Sequence, residues 1–137
     1  MRLEISTDPD RLDVDLVHAW LSTDAYWALG RTRDVVERSI AGSLTFGAYE
    51  GDQQVAFARV VTDGATFAWL CDVYVAPDRR GAGVGTTLLE AVTAHLAGLH
   101  LKRVVLATAD AHGVYERFGF APLAHPERWM AREGHGP

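Results

Sequence analysis

A single α/β domain built on a mixed, mostly antiparallel sheet is the fold class this chain predicts, and two observations carry it. Three apolar runs, Leu44–Tyr49, Gln54–Val61 and Thr66–Val75, are separated only by the turn residues Glu50-Gly51-Asp52 and Asp63-Gly64, the pattern of an antiparallel meander. The last run leads into a glycine-rich turn, an amphipathic helix and a further apolar run, Val104–Thr108. That is the pattern of a βαβ unit, and so of one parallel pair. With 137 residues, one domain over residues 1–132 is expected, large enough to bury about two-thirds of its unfolded surface without disulfides or metal.

The other elements follow in order. Arg2–Ser6 alternates loosely and reads as a short strand, broken by Asp8, Pro9 and Asp10. From Asp13, apolar residues at Val14, Leu16, Val17, Trp20 and Leu21 mark a helix that ends near Ser22 and Thr23. Asp24–Arg33 reads as an aromatic-rich loop or short helix. A second helix starts near Thr32 or Asp34, with Val35, Val36 and Ile40 on its apolar face and Glu37 placed three residues after Asp34, as in a capping box. Asp63-Gly64 is a hairpin signal because both residues tolerate positive φ. After the glycine turn, Val84, Leu88, Ala91, Val92, His95 and Leu96 share one helical face. Arg103–Thr108 is almost continuously apolar, as in a buried parallel strand rather than an edge, and its crossover should be right-handed. Asp110–Phe118 reads as a short helix capped by Gly119. Phe120–Ala124 and Arg128–Ala131 are weak final strands, confined to edges or turns by Pro122 and Pro126. Residues 133–137 are expected to be a disordered tail.

Composition narrows the function. A net charge of −5 argues against nucleic acid or an anionic membrane as the main partner, and slightly favours a cationic one. No apolar run approaches the ~20 residues of a membrane span. Residues 1–10 lack the apolar stretch of a secretory signal, and Cys71, the only cysteine, permits no intramolecular disulfide, so a reducing cytoplasm is the expected location. The six histidines show no metal-ligand spacing, and no metal is expected.

The chemistry concentrates between Trp69 and Ala91. Gly81, Gly83 and Gly85 let the backbone approach a ligand closely. The helix that follows begins with unpartnered N–H groups and a partial positive charge, so an anion, above all a phosphate, suits this turn. Arg79 and Arg80 stand beside it. A P-loop would need lysine after the last glycine, where Thr86 stands, and a dinucleotide fingerprint would want glycine or alanine there.

The pattern Val73-x-Val75-x-Pro77 followed by Arg80-x-x-Gly83-x-Gly85 resembles the acetyl-CoA signature of the GNAT N-acetyltransferase superfamily. Tyr115-Glu116-Arg117-Phe118-Gly119-Phe120 is similar to the family's Tyr-x-x-x-Gly-Phe, and lies where that motif should, after the next strand. The resemblance follows the whole chain in element order and is sharp from about Leu70 to Phe120. It implies a sheet splayed between its fourth and fifth strands, flanked by about four helices. It also implies direct acetyl transfer from acetyl-CoA to an amine, with a small-molecule amine as the expected acceptor and a monomer or homodimer as the assembly. A peptide or protein amine, or a non-catalytic acyl-CoA-binding domain, are the alternatives.

By the same resemblance, the amides of Arg80, Gly81, Ala82, Gly83, Val84, Gly85 and Thr86, with Arg79, hold the pyrophosphate. The backbone of Val73, Tyr74 and Val75 holds the pantetheine arm, and an N–H near Val73 serves the oxyanion. Tyr115 stands at the general-acid position, although an aromatic spaced helically with Phe118 also suits a core. The family often has asparagine just after the fifth strand, and this chain has no asparagine at all. Asp110 stands near that position and could contact the cofactor arm or cap the short helix. Asp72, unusual in an apolar strand, and His112, one turn before Tyr115, are the candidate general bases. Tyr26, Trp27, Arg31 and Trp129 are the candidate acceptor-binding residues, the aromatics suiting an apolar body or a cation. Cys71 reads as a small core residue rather than a nucleophile.

Overall fold

The structure is a computed structural model and describes residues 2–136, so Met1 and Pro137, the ends of the expected domain and tail, lie outside the described residues. Five strands form one sheet in the order β1 (Leu3–Ser6), β2 (Leu44–Glu50), β3 (Gln53–Thr62), β4 (Phe67–Val75) and β5 (Arg103–Val105). The first four are antiparallel neighbours, and β4 pairs with β5 in parallel. Four α-helices accompany them: α1 (Val14–Asp24), α2 (Arg33–Ala41), α3 (Val84–Ala97) and α4 (His112–Glu116).

The helices cover the two faces of the sheet, and each face has its own core. On one, Val84, Leu88, Leu89, Val92 and Leu96 of α3 pack on Phe46, Val55, Val60 and Leu70. On the other, Val17 and Leu21 of α1 and Val36 of α2 pack on Phe57 and Tyr74. The helix starts are capped as short polar side chains allow: the Leu16 N–H donates to Asp13 Oδ1 and the Val35 N–H to Thr32 Oγ1. Thr32 therefore caps α2, and the Asp34–Glu37 capping box does not form. Each of those acids instead pairs with an arginine on the same helix, Asp34 with Arg38 and Glu37 with Arg33.

One irregularity in β4 positions the site. Phe57 pairs with Tyr74 and Arg59 with Cys71, so Asp72 and Val73 together stand opposite Ala58. This is a β-bulge, and Asp72 adopts φ 52 to make it. Because strand side chains alternate, the extra residue reverses the phase of the strand. Ala68 and Leu70 face α3 before the bulge, and Val73 and Val75 do so after it, which turns Tyr74 toward α1 and α2.

β4 and β5 pair only through Phe67–Trp69 and Arg103–Val105, and the sheet is splayed beyond them, as expected. Three other expectations are corrected. β5 is parallel but is an edge strand, Arg103 exposed and Val104 and Val105 only partly buried, because among the described residues no strand pairs along its other side. Phe120–Ala124 and Arg128–Ala131 form no strands: Pro122 and Pro126 lack N–H groups, and a 3₁₀ turn occupies Pro126–Arg128. The β3–β4 connection spans Asp63–Thr66, and of the Asp63-Gly64 pair only Gly64 takes positive φ. Asp63 acts through its carboxylate, which accepts from the Ala65 and Thr66 N–H groups and the Thr66 hydroxyl. Glu133–Gly136 of the expected tail are exposed. Among the described residues no helix is long and apolar enough to cross a membrane.

Candidate active site

The splay between β4 and β5 opens beside the start of α3. A 3₁₀ turn at Pro77–Arg79 ends β4, and Arg80–Gly83 then loops into the helix. Gly81 and Gly83 sit at φ 82 and 84, and a Cβ on either would meet no atom within 4 Å. Positive φ, not crowding inside the protein, is what requires glycine at both. Gly83 is the N-cap of α3 and offers no side-chain acceptor, so the first amides of a 14-residue helix are free of side-chain caps and face an exposed loop. Left-handed glycines and an uncapped helix start are features that suit an anion.

The two arginines beside this turn are engaged within the protein. Arg79 pairs with Glu50 at 2.6 Å and Asp78 at 2.8 Å. Arg80 donates to the Val75 carbonyl and to Asp24, and lies over the Tyr74 ring. The Tyr74 hydroxyl also donates to Asp24, at 2.6 Å. Burial, then the Asp24 carboxylate, push the Tyr74 hydroxyl up to about 12, and the same bond, with Arg80, lowers Asp24. Arg80 and Tyr74 therefore clamp the end of β4 to α1. The Tyr74 side chain faces α1 and α2, away from the splay.

Asp72 is the centre of a second cluster. Its carboxylate is buried and accepts three hydrogen bonds: from Trp27 Nε1 at 2.8 Å, Arg31 Nη1 at 2.9 Å and Arg59 Nε at 2.8 Å. Arg59 is also buried, and its Nη1 donates to Ser43. The bulge thus fastens the loop after α1 onto the sheet. That loop reaches the far side of the splay as well, where the Ala109 N–H donates to the Tyr26 hydroxyl. Tyr26 and Trp27 meet edge to face, each about half exposed.

Tyr115 lies on α4, half-buried, its ring edge to face with Phe120. Burial pushes its hydroxyl above the ordinary value, with smaller contributions in the same direction from Tyr26 and Asp110. His112 is exposed one turn earlier, and both line a groove of about 510 Å³ that runs along β5. Gly119, at φ 90, closes the helix, and the Phe120 N–H returns to the Tyr115 carbonyl.

The structure brings Tyr26, Trp27, Arg31 and Asp72 together, with Tyr26 bridging to the segment before Tyr115. Trp129 stands apart, stacked on Phe67 beneath the Arg103 guanidinium at the paired end of β4 and β5. Asp110 does not cap α4. The cap residue is Ala111, whose N–H, with that of Asp110, donates to Thr108 Oγ1. Cys71 is partly buried and its thiol is pushed up to about 11 by burial, which suits a packing residue. Sequence reasoning missed Arg59, Asp24 and Thr108. Arg59 had a signal: a lone arginine inside Val55–Val61 must find an acid, and Asp72 is the only one in the run beside it.

Residues 14–120 match the model of the acetyltransferase (GNAT) family. A candidate acetyltransferase of Gibberella zeae is 36% identical over 126 residues, covering 77% of this chain and 71% of its own length. The crystal structure of a candidate GNAT-family acetyltransferase from Xanthomonas campestris pv. campestris superposes with a TM-score of 0.94 at 46% identity, covering 99% of this chain and 96% of that one. N-acetylglutamate synthase from Neisseria gonorrhoeae, solved with coenzyme A and N-acetyl-glutamate, shares the fold at a TM-score of 0.74 and 17% identity, over 93% of this chain and 30% of its own. With both motifs on the two sides of the splay and the match spanning most of the chain, this protein belongs to the GNAT family of acetyltransferases.

Proposed function

We propose that this enzyme acetylates the primary amine of a small molecule, with acetyl-CoA as donor. The observation that carries the donor is the glycine turn: two left-handed glycines and an uncapped helix start, set where β4 loses its β5 partner. When bound, acetyl-CoA supplies an acetyl group activated as a thioester. The amides of Arg80–Thr86 hold its pyrophosphate, and the edge of Val73–Val75 that β5 does not pair holds its amide-bearing arm, apart from the Val75 carbonyl, which already accepts from Arg80. Arg79 and Arg80 act by fixing the turn rather than by direct contact, because each already has an acid to pair with.

The bulge at Asp72 and Val73 presents strand backbone toward the splay, and the Val73 N–H is the donor for the oxyanion. Tyr115 keeps its proton throughout the neutral range, because burial favours the phenol over the phenolate, and passes it to the departing sulfur. Asp72 is poorly placed to take a proton from the amine, since three donors already occupy its oxygens. It acts instead as the post that holds Trp27 and Arg31. His112, exposed in the groove, is then the better of the two candidate bases.

The half-exposed Tyr26–Trp27 pair supports a compact acceptor whose cation or apolar body lies against a ring. The net charge of −5 favours the same class. The test is thiol release from acetyl-CoA across aliphatic amines, polyamines, aryl-alkylamines, amino acids and peptides. Small amines should be acetylated in preference to peptides of equal charge. Release confined to peptides would overturn the acceptor, and CoA binding without turnover on any amine would overturn the enzymatic reading.

A further inference from the structure

Tyr26 and Trp27 are tied to opposite sides of the splay. Trp27 Nε1 donates to Asp72 Oδ1 on β4 at 2.8 Å, and the Ala109 N–H, beyond β5, donates to the Tyr26 hydroxyl at 2.8 Å. Both anchors lie past the last strand pair, Trp69 with Val105, where the two branches have already parted. Between them the two rings meet edge to face, their centroids 5.0 Å apart. They form an aromatic bar across the gap, on the face of the sheet where α1 and α2 pack. Its two ends are held unequally. Trp27 shares the buried Asp72 carboxylate with Arg31 and Arg59, so moving it takes a donor from a buried charge. Among the described residues, Tyr26 is held by its one exposed hydrogen bond.

The proposed donor site leads to this bar. With the phosphates at Arg80–Thr86 and the arm running from Val75 to Val73, the acyl group comes to rest beside the bulge. The space there is bounded on three sides. Ahead of it, Phe67–Trp69 and Arg103–Val105 pair and close the splay. On α4, Tyr115 packs edge to face with Phe120. Burial is the first cause of the raised Tyr115 hydroxyl and Tyr26 the next, which sets the Tyr26 end of the bar beside it. The bar itself is the third side. We infer that Tyr26 and Trp27 set the acyl length this enzyme accepts, admitting acetyl and turning away butyryl and longer chains. A longer chain must push a ring aside or pull the thioester carbonyl off its donor, and packed surroundings make even one methylene costly. The outer side of the rings stays open to the acceptor, with Tyr26 51% and Trp27 42% exposed. This inference rests on the proposed acetyl-CoA site and is independent of which amine is acetylated.

Isothermal titration of the full chain with acetyl-CoA, butyryl-CoA and hexanoyl-CoA, without acceptor, tests it. The wild type should bind hexanoyl-CoA ~10-fold or more weakly than acetyl-CoA, with butyryl-CoA between them. Tyr26→Ala removes the ring at the weakly held end and should bring the three affinities within a few-fold of one another. Tyr26→Phe keeps the ring and loses only the bond to Ala109, so it should keep most of the discrimination. Each comparison is a ratio within one variant, so a change in overall affinity cancels. The ratio of kcat/KM for hexanoyl-CoA to that for acetyl-CoA, at one fixed amine, should shift in the same direction. Tight binding of all three donors by the wild type overturns the length stop and leaves the donor site standing. So does a natively folded Tyr26→Ala variant that discriminates as the wild type does. Failure of acetyl-CoA itself to bind would overturn the donor site and the stop with it.

Discussion

Asp72 combines three demands that rarely meet in one residue. It holds a left-handed conformation, it is buried, and its carboxylate joins Trp27, Arg31 and Arg59. Asp72→Ala should cost about 3–5 kcal/mol in urea unfolding, because two guanidinium groups lose their acid in a low-dielectric setting. Strain adds to that, since alanine tolerates positive φ poorly. Asn can adopt this backbone and still accept one bond, so Asp72→Asn should lose clearly less stability. Equal losses for the two would remove the backbone from the explanation. Tyr115 makes a different demand. Tyr115→Phe keeps the ring against Phe120 and removes only the hydroxyl, so turnover should fall ~10²-fold or more with CoA affinity nearly unchanged. The sign of its shift sets the pH profile: with the phenol stabilised, wild-type turnover should show no alkaline decline attributable to Tyr115 below pH about 10. A decline near pH 8 that disappears in the Phe variant would contradict this.

The turn before α3 separates what glycine does for conformation from what it does for space. Gly83 has φ 84 and open space around it, so a side chain there would enter the volume that the proposed donor site gives to phosphate. Gly83→Glu should abolish CoA binding in isothermal titration, through both its bulk and its charge. Gly85 lies inside the helix, and a Cβ there would make an ordinary 3.5 Å contact with Val75 Cγ2. Gly85→Ala should therefore keep CoA affinity within a few-fold and raise stability by up to about 1 kcal/mol through helix propensity. This turn was readable in the sequence because its chemistry is local: spacing alone sets the glycines, the proline and the helix start. The bulge was not readable, because it arises from the register of β4 against β3. Asp72 could be flagged as an odd charge, yet its partners lie 13, 41 and 45 residues away. Caps were readable where one polar residue preceded an apolar period, as at Asp13. They were misassigned where two candidates competed, as with Thr32 against Asp34 and Thr108 against Asp110.

At the scale of the whole molecule, the element order could be read almost to its end, and the reading failed at Phe120–Ala131. Those residues have strand-like side chains, but a strand exists only when a partner edge meets it, and the chain's own β5 does not. The apolar run Val104–Thr108 misled for the same reason. It has the composition of a strand covered on both sides, and among the described residues only β4 pairs with it. The segment after Phe120 lies beside that edge without pairing to it, and Ala121–His125, Arg128 and Trp129 line one groove with Tyr115 and His112.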